Sequence, residues 1–331
     1  CSVHVASSLE EALQQSHSAV VITQVLPLPM LLEINNACRA NKVSFLYAFT
    51  GGVSTDIFVD HGLNHMVHDF DGERPLQKLI SSITQVSEEE CLVRYEAPEG
   101  QLPVSITKGF YEVSEVQGID GINDTTFQVY VGDRDPVKSL RIKYKSAGSE
   151  KYAGGGLLTE KKVPTNYPME PLAYKFKHPG NVFAEPPSLV LTDLLNFGSE
   201  VQQHVAHYAS LVFATQHNGN LPQANNADDA KEVLNIAKGL LANKDIDVED
   251  FELDEALVSR YALLCAAELQ PMAAFTGGVL AQEIVKCTGK FTPIPGFMHF
   301  SAPETLPASD KLPVDTSARN SPNDELAAVF G

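Results

Sequence analysis

The sequence predicts a multidomain chain of mixed class, with an α/β part, an all-β part and an all-α part. Three observations predict it. The first 75 residues alternate short apolar runs with helical periodicity. Residues 76–164 are short β-branched and aromatic runs separated by turn residues. From Ser199 onward, four amphipathic helical patterns follow one another. With 331 residues the chain is long enough for two or three domains, and an apolar content of 44% supports buried cores.

In order, "SVHVA" reads as a strand, "SLEEALQQS" as a helix opened by a serine cap, and "AVVIT" as a buried strand. "LPMLLEINNACRANK" is a helix with apolar spacing at Leu31, Leu32, Ile34 and Ala37, and "VSFLYAF" is the next strand. The order β-α-β-α-β implies parallel strands joined by right-handed crossovers, a Rossmann-like half. The chain then turns at "TGG" and is expected to pair "DIFVDHG" with "NHMVHDF".

After "DGERP" the pattern changes. "CLVRYEA", "GFYEV", "TFQVYVG", "SLRIKYK" and "GGLLTEKKVP" recur between turn signals, as in a barrel or sandwich. A polar, glycine-punctuated hairpin, "FYEVSEVQGIDGIND", sits in this block. Its charges nearly balance, with 12 bases against 14 acids between Gly72 and Pro164.

A proline-rich linker, "PTNYPMEPLAYKFKHPG", precedes the helices. The first starts at Ser199, with Val201, Val205, Tyr208, Leu211 and Val212 at helical spacing. "ADDAKEVLNIAKGLLA" and "LDEALVSRYALLCAAEL" follow. "QPMAAFTGGVLAQEIVKCTG" is the fourth, with Pro271 in its first turn and Gly289 beyond its end. "GFMHFSA" is a strand, and "LPASDKLPVDTSARNSPND" reads as linker.

Charge and composition narrow the partners. A formal charge of −18, from 42 acids against 24 bases, disfavours nucleic acid and anionic membrane surfaces and favours a protein with a basic face. No apolar run reaches a membrane span, and the start lacks a basic and apolar leader pattern. Cys1, Cys38, Cys91, Cys265 and Cys287 are odd in number and scattered. That suits reduced thiols in the cytoplasm or nucleus better than a disulfide framework.

Few residue patterns suggest chemistry. Neither G-x-G-x-x-G nor G-x-x-x-x-G-K-[ST] occurs, so Gly51-Gly52, Gly155-Gly156 and Gly277-Gly278 read as turns or close helix packing. His61, His65 and His68, and His204 and His207, lack the cysteines or spaced carboxylates of a tetrahedral metal set and read as surface or packing histidines. The run "DIDVEDFELDE" has Asp250 and Ala256 where a calcium loop needs Gly and Glu. It reads as a solvated loop, with Asp254 capping the next helix. No cysteine has a basic partner in sequence that marks a nucleophile, and Cys287 ends a helix, where the dipole opposes a thiolate.

Several stretches resemble one family, in its order. "SEVQG" (Ser114–Gly118) with "GGLLTEKKVP" resembles the first catalytic-cysteine half-domain of ubiquitin-activating enzymes. "LVLTDLLNF" leading to "QQHVAHYASLVFATQHNGNLP" resembles their four-helix bundle. "PMAAFTGGVLAQEIVKCTGKFTPIPGFMHFSAPETLP" is similar to the last part of their inactive adenylation domain. Two departures stand out. "TNYPM" replaces the family's basic return after Val163-Pro164, and only Asp324 matches a family motif that would fall on Pro322, Asn323, Asp324 and Leu326.

The resemblance implies an incomplete Rossmann-like inactive adenylation domain, interrupted by a small antiparallel β-barrel and a four-helix bundle. Its first part would span residues 1–75, the barrel 76–164, and the bundle 165–267. The last part and the linker to the active half would span 268–331. The resemblance further implies no catalytic residue, cofactor site or metal site in this chain. ATP and magnesium would belong to the active half of the full enzyme, which would adenylate ubiquitin and capture it as a thioester. The implied partners are ubiquitin, that active half, and conjugating enzymes through the full enzyme, in cytoplasm and nucleus. Ser114, Glu115 and Gln117, read as lying in a loop, are the expected ubiquitin contacts, and Phe275, Gly277, Gly278 and Gln282 the expected interface to the active half. A stand-alone scaffold without an active half is the alternative; a truncated Rossmann oxidoreductase fits less well, because the dinucleotide fingerprint is absent.

Overall fold

The computed structural model describes residues 17–96, 108–132, 135–145, 151–178, 198–248 and 251–306, together with residues 11, 106, 189, 190 and 192. The strand expected at "SVHVA", the helix at "SLEEALQQS" apart from the helical Glu11, and the linker after residue 306 lie outside the described residues.

β1 (Ala19–Ile22), α1 (Leu28–Ala40) and β2 (Ser44–Gly51) form the expected crossover, and β1 and β2 are parallel. From there the path departs from a parallel repeat. Gly51-Gly52 turns the chain straight back into β3 (Ser54–Asp60), antiparallel to β2. The Gly52 φ is +55°, and a Cβ on Gly51 would stand 2.6 Å from the Cys265 carbonyl oxygen, so the turn needs both glycines. The expected hairpin of β3 with "NHMVHDF" does not form. The second neighbour of β3 is β15 (Gly296–Ser301), and of that stretch only the two-residue β4 (Met66–Val67) is strand. β3 is buried along its whole length and takes an apolar neighbour on each side.

The finished sheet has the order β1-β2-β3-β15-β13, where β13 (Leu189–Val190) runs parallel to β15. Alternation along β2 supplies two cores. Phe45, Tyr47 and Phe49 join Phe58 and Phe297 in a cluster with α1 and the helical segment. Leu46 and Ala48 join Ile57, Val59 and Leu280 on the opposite face.

Residues Val67–Thr165 form a separate compact unit. It is a closed barrel in the order β10-β5-β6-β9-β8-β7. Its strands are β5 (Gln77–Ser87), β6 (Glu90–Glu96), β7 (Lys108–Gln117), β8 (Thr125–Tyr130), β9 (Ser139–Lys143) and β10 (Gly154–Glu160). Ile80, Val93, Val113, Leu140, Ile142 and Leu158 fill the interior, and closure leaves no free edge. Five of the six strands fall on the runs expected from the sequence. The sixth, β5, does not stand out there, because "QKLISSITQVS" carries polar residues on the outer face and a register shift between Ile80 and Ser82. The "FYEVSEVQGIDGIND" hairpin is the β7–β8 pair. Gly155-Gly156 lie inside β10 rather than in a turn or a helix contact.

After β11 (Thr165–Asn166), the proline-rich stretch is not a loose linker: Met169, Leu172 and Tyr174 are buried in the sheet-and-helix unit. β12 (Phe176–His178) pairs in parallel with β14 (Ile246–Val248). Between them run α2 (Ser199–Gln216) and α3 (Ala227–Ala242). α4 (Glu255–Leu264) and α5 (Gln270–Lys286) follow. α3 opens with the Asn226 side chain accepting from the Asp228 and Asp229 amides, and α4 with Asp254 accepting from Leu257, the cap expected from sequence. α2 is buried nearly all round, with α3 and α4 packed against it.

Candidate functional site

Two surfaces and one buried cluster carry the residues of interest. On the barrel, Ser114, Glu115 and Gln117 lie at the end of β7, not in a loop; the loop starts at Gly118. β10 extends the pairing that far, with Leu157 opposite Ser114 and Gly154 opposite Gln117. Glu115 and Gln117 are exposed and Ser114 half-buried. Glu115 takes a φ of +60°, a left-handed conformation inside a strand. The Asn123 side chain accepts from the Val116 amide at 2.8 Å and donates to the Val116 carbonyl at 2.9 Å, so it substitutes for a strand neighbour and ties down the turn.

The second surface is α5. Met272, Thr276, Leu280 and Glu283 face the sheet and are buried, with the Thr276 hydroxyl 2.8 Å from that of Thr55. Phe275, Gly277, Gly278 and Gln282 are exposed, as are Ile284 and Val285. The Phe275 ring is tilted against Phe300 at 4.6 Å between centroids, and beyond the helix's own adjoining backbone nothing described lies within 4 Å of a Cβ placed on Gly277 or Gly278. The helix therefore packs its own sheet on one face and shows a small-residue and apolar strip on the other.

The buried cluster was not anticipated. Asp56 on β3 and His299 on β15 are cross-strand partners, with Oδ1 and Nδ1 2.5 Å apart. The Gln203 amide donates to Asp56 Oδ1 at 2.9 Å, and the Tyr261 hydroxyl donates to Oδ2 at 2.6 Å. His204 Nδ1 lies 3.0 Å from His299 Nε2, and His204 Nε2 lies 2.9 Å from the Tyr174 carbonyl oxygen. His207 Nδ1 is 2.9 Å from the Tyr261 hydroxyl. Burial alone would raise the Asp56 carboxyl. The imidazoles of His207 and His299 and the Tyr261 hydroxyl outweigh it and hold that carboxyl below its usual range. Burial pushes His204 down to about 3 and His207 down to about 4. The available signal was an i,i+3 histidine pair inside an otherwise apolar helix, which reads equally well as packing.

A second buried carboxylate, Asp60, accepts from Asn35 at 2.8 Å, from Arg39 at 2.8 Å, and from the Gly62 amide at 2.8 Å. The Asn35 Oδ1 in turn accepts from the Leu172 amide at 2.9 Å.

In a Rossmann-like unit the phosphate would sit at the helix start beyond β1. There Pro29 has no N–H, the Leu28 amide donates to Thr215 Oγ1, and the Met30 and Leu31 amides donate to the Pro27 carbonyl. Those residues do not fit a phosphate. Among the described residues no histidine, cysteine and carboxylate group could hold a metal ion, and no helix is long and apolar enough to cross a membrane. Burial raises all four described thiols: Cys38 to about 11, Cys265 to about 12, and Cys91 and Cys287 by smaller amounts.

Comparison with known proteins places this geometry. Residues 170–241, which hold α2 and most of α3, match the family described as "Ubiquitin-activating enzyme E1 four-helix bundle". Over 336 residues, 99% of the chain, it is 31% identical to "Ubiquitin-activating enzyme E1 1" of Schizosaccharomyces pombe. The chain is a relative of the ubiquitin-activating enzymes. It is also 31% identical over 310 residues to "Ubiquitin-like modifier-activating enzyme 1" of Dictyostelium discoideum, and 30% over 315 residues to that of Homo sapiens. These matches cover 92% and 94% of this chain and 28% of each relative. With 31% of the fission-yeast protein covered, the chain spans less than a third of the length of the ubiquitin-activating enzymes it matches.

Proposed function

We propose that this chain is the non-catalytic amino-terminal region of a ubiquitin-activating enzyme. In this reading it completes the adenylation pseudo-dimer and forms one wall of the ubiquitin cleft. The full enzyme would adenylate ubiquitin with ATP and magnesium held in the active half, then capture it as a thioester on a cysteine of a later domain. The observation that carries the proposal is identity of about 30% along nearly the whole chain to proteins of that name.

The two surfaces supply the roles. The outward strip of α5, with Phe275, Gly277, Gly278 and Gln282, would receive the active half. Its glycines admit close backbone approach, and its apolar residues need cover. On the barrel, Ser114, Glu115 and Gln117 present polar groups that would meet ubiquitin. The chain contributes positioning and recognition, and no step of the chemistry is assigned to its residues.

Ubiquitin-dependent exchange of pyrophosphate into ATP tests the division of labour. The purified chain should show none, and adding the active half should restore it. Gly278→Leu should weaken that restoration without unfolding the chain, and Glu115→Lys in the full enzyme should raise the ubiquitin KM while leaving the ATP KM alone. Robust exchange by the chain alone would overturn the assignment.

A further inference from the structure

Three hydrogen bonds run in series through the buried cluster: Asp56 to His299, His299 to His204, and His204 to the Tyr174 carbonyl. Each bond needs one proton between its heavy atoms. The Tyr174 carbonyl can only accept, so His204 donates to it from Nε2. If His204 carries that single proton, its Nδ1 accepts, and His299 must donate from Nε2. Asp56, as a carboxylate, can also only accept, so His299 must donate from Nδ1 as well. Two neutral imidazoles supply two protons for three bonds. The series closes only with one more.

We propose that His299 is a doubly protonated imidazolium paired with the Asp56 carboxylate, and that this extra proton clasps the helical segment to the sheet. The two residues belong to neighbouring strands, while Gln203, His204 and His207 come from α2 and Tyr261 from α4. The second branch needs no such proton. Tyr261 donates to Asp56, His207 donates to the Tyr261 oxygen, and the Tyr174 hydroxyl, 3.4 Å away, donates to His207 Nε2. Among the described residues, the ionisable groups facing the pair are His204 and His207 from α2, Tyr261 and Cys265 at α4, Tyr174 from the stretch before β12, and Tyr47 from β2. None of these neighbours is a lysine or arginine, so the imidazolium is the positive charge that balances Asp56. All of Asp56, His204, His207 and His299 are at most 1% exposed, and the contacts of the series, at 2.5, 3.0 and 2.9 Å, are direct ones with no space for a water between the heavy atoms.

The sign of the pH effect follows. In the unfolded chain above pH ~7, Asp56 is ionised and both imidazoles are neutral. The native trio then holds one proton more than its unfolded counterpart. Stability contributed by the clasp is full below that range and declines as pH rises, with the unfolding constant increasing up to about tenfold per pH unit.

The test is long-range proton–nitrogen correlation on the whole chain labelled with nitrogen-15 histidine, recorded from pH 6 to 9. Exposed His68 and His217 serve as the comparison rings. One imidazole is expected to keep the doubly protonated pattern at pH 8. It is assigned to His299 by its disappearance in His299→Gln or, should that variant not fold, by proximity signals to the Phe297 ring, which stacks on His299. A chain in which every imidazole is singly protonated at pH 8 would overturn the proposal. So would a doubly protonated ring assigned to His204 or His207.

Discussion

The carbonyl oxygen of Glu115 stands 2.7 Å from the point where a Cβ on Gly155 would sit. Glu115 has a φ of +60°, Gly155 of +71° and Gly156 of +113°, so both strands leave the ordinary β region at one place. Only the β10 side answers the requirement with glycine. Gly155→Ala should destabilise the chain by about 1–3 kcal/mol, because the new carbon meets backbone that cannot swing away. Glu115→Gly should cost nothing or stabilise, since a non-glycine residue in the left-handed region costs about 1 kcal/mol. Urea unfolding of both variants checks the pair, and equal losses would contradict it.

Gly277 and Gly278 sit mid-helix in α5 with open space where a side chain would go. Alanine at either position should stabilise the isolated chain by roughly 0.5–1 kcal/mol through helix propensity alone. The same substitutions should weaken association with an active half supplied in trans. A thermal melt and a binding titration read the two effects separately, and a loss of stability in the isolated chain would show that the helix face is already packed.

The sequence carried the elements better than their partners. α2 and α3 were legible because apolar spacing along a helix is a local signal. The β3–β15 pairing was not, since those strands lie more than two hundred residues apart and local pattern says nothing about such a neighbour. The proline-rich stretch misled because its prolines mark irregular backbone, whereas the burial of Leu172 and Tyr174 depends on what Asn35 and α2 offer them. Of the expected contact residues, the α5 set shares one exposed face by helical spacing. The barrel set was placed in a loop because Gly118 hides how far β10 extends the ladder. The Asp56 cluster drew single residues from several elements and left only the His204 and His207 pair to notice.

Asp60 is 1% exposed and receives hydrogen bonds from Asn35, Arg39 and Gly62. Asp60→Ala should cost about 2–3 kcal/mol, because it leaves the Asn35 and Gly62 donors without their acceptor and Arg39, which is partly exposed, with only the Met169 carbonyl. Asn35→Ala should cost less, since Arg39 keeps its partner, and should loosen residues 169–174 most. Hydrogen exchange of the Leu172 amide follows that loosening, and unchanged protection there would refute it.

Acid should weaken the fold well before its carboxylates titrate. Burial holds His204 at about 3 and His207 at about 4, while an unfolded histidine takes its proton near pH 6.5. The unfolded chain thus gains protons first, and stability falls from about pH 6.5 down to about 4. Between pH 6 and 5 the two residues together should remove about 2 kcal/mol. Urea midpoints across that range measure it, and His207→Gln should roughly halve the slope. A flat profile would mean that these imidazoles are not neutral inside.

The long detour between β3 and β15 also sets a timetable. A ribosome completes β3 and then translates more than two hundred residues before β15 emerges to cover its open side. At about 5–20 residues per second that wait is roughly ten to fifty seconds. Throughout it, the nascent chain carries a bare strand edge lined by Ile57, Phe58 and Val59, a surface that attracts other strands. The barrel, whose six strands are contiguous in sequence, can close during the wait. The sheet cannot. A cell making this chain must therefore shield an amino-terminal segment that was synthesised early and is finished late.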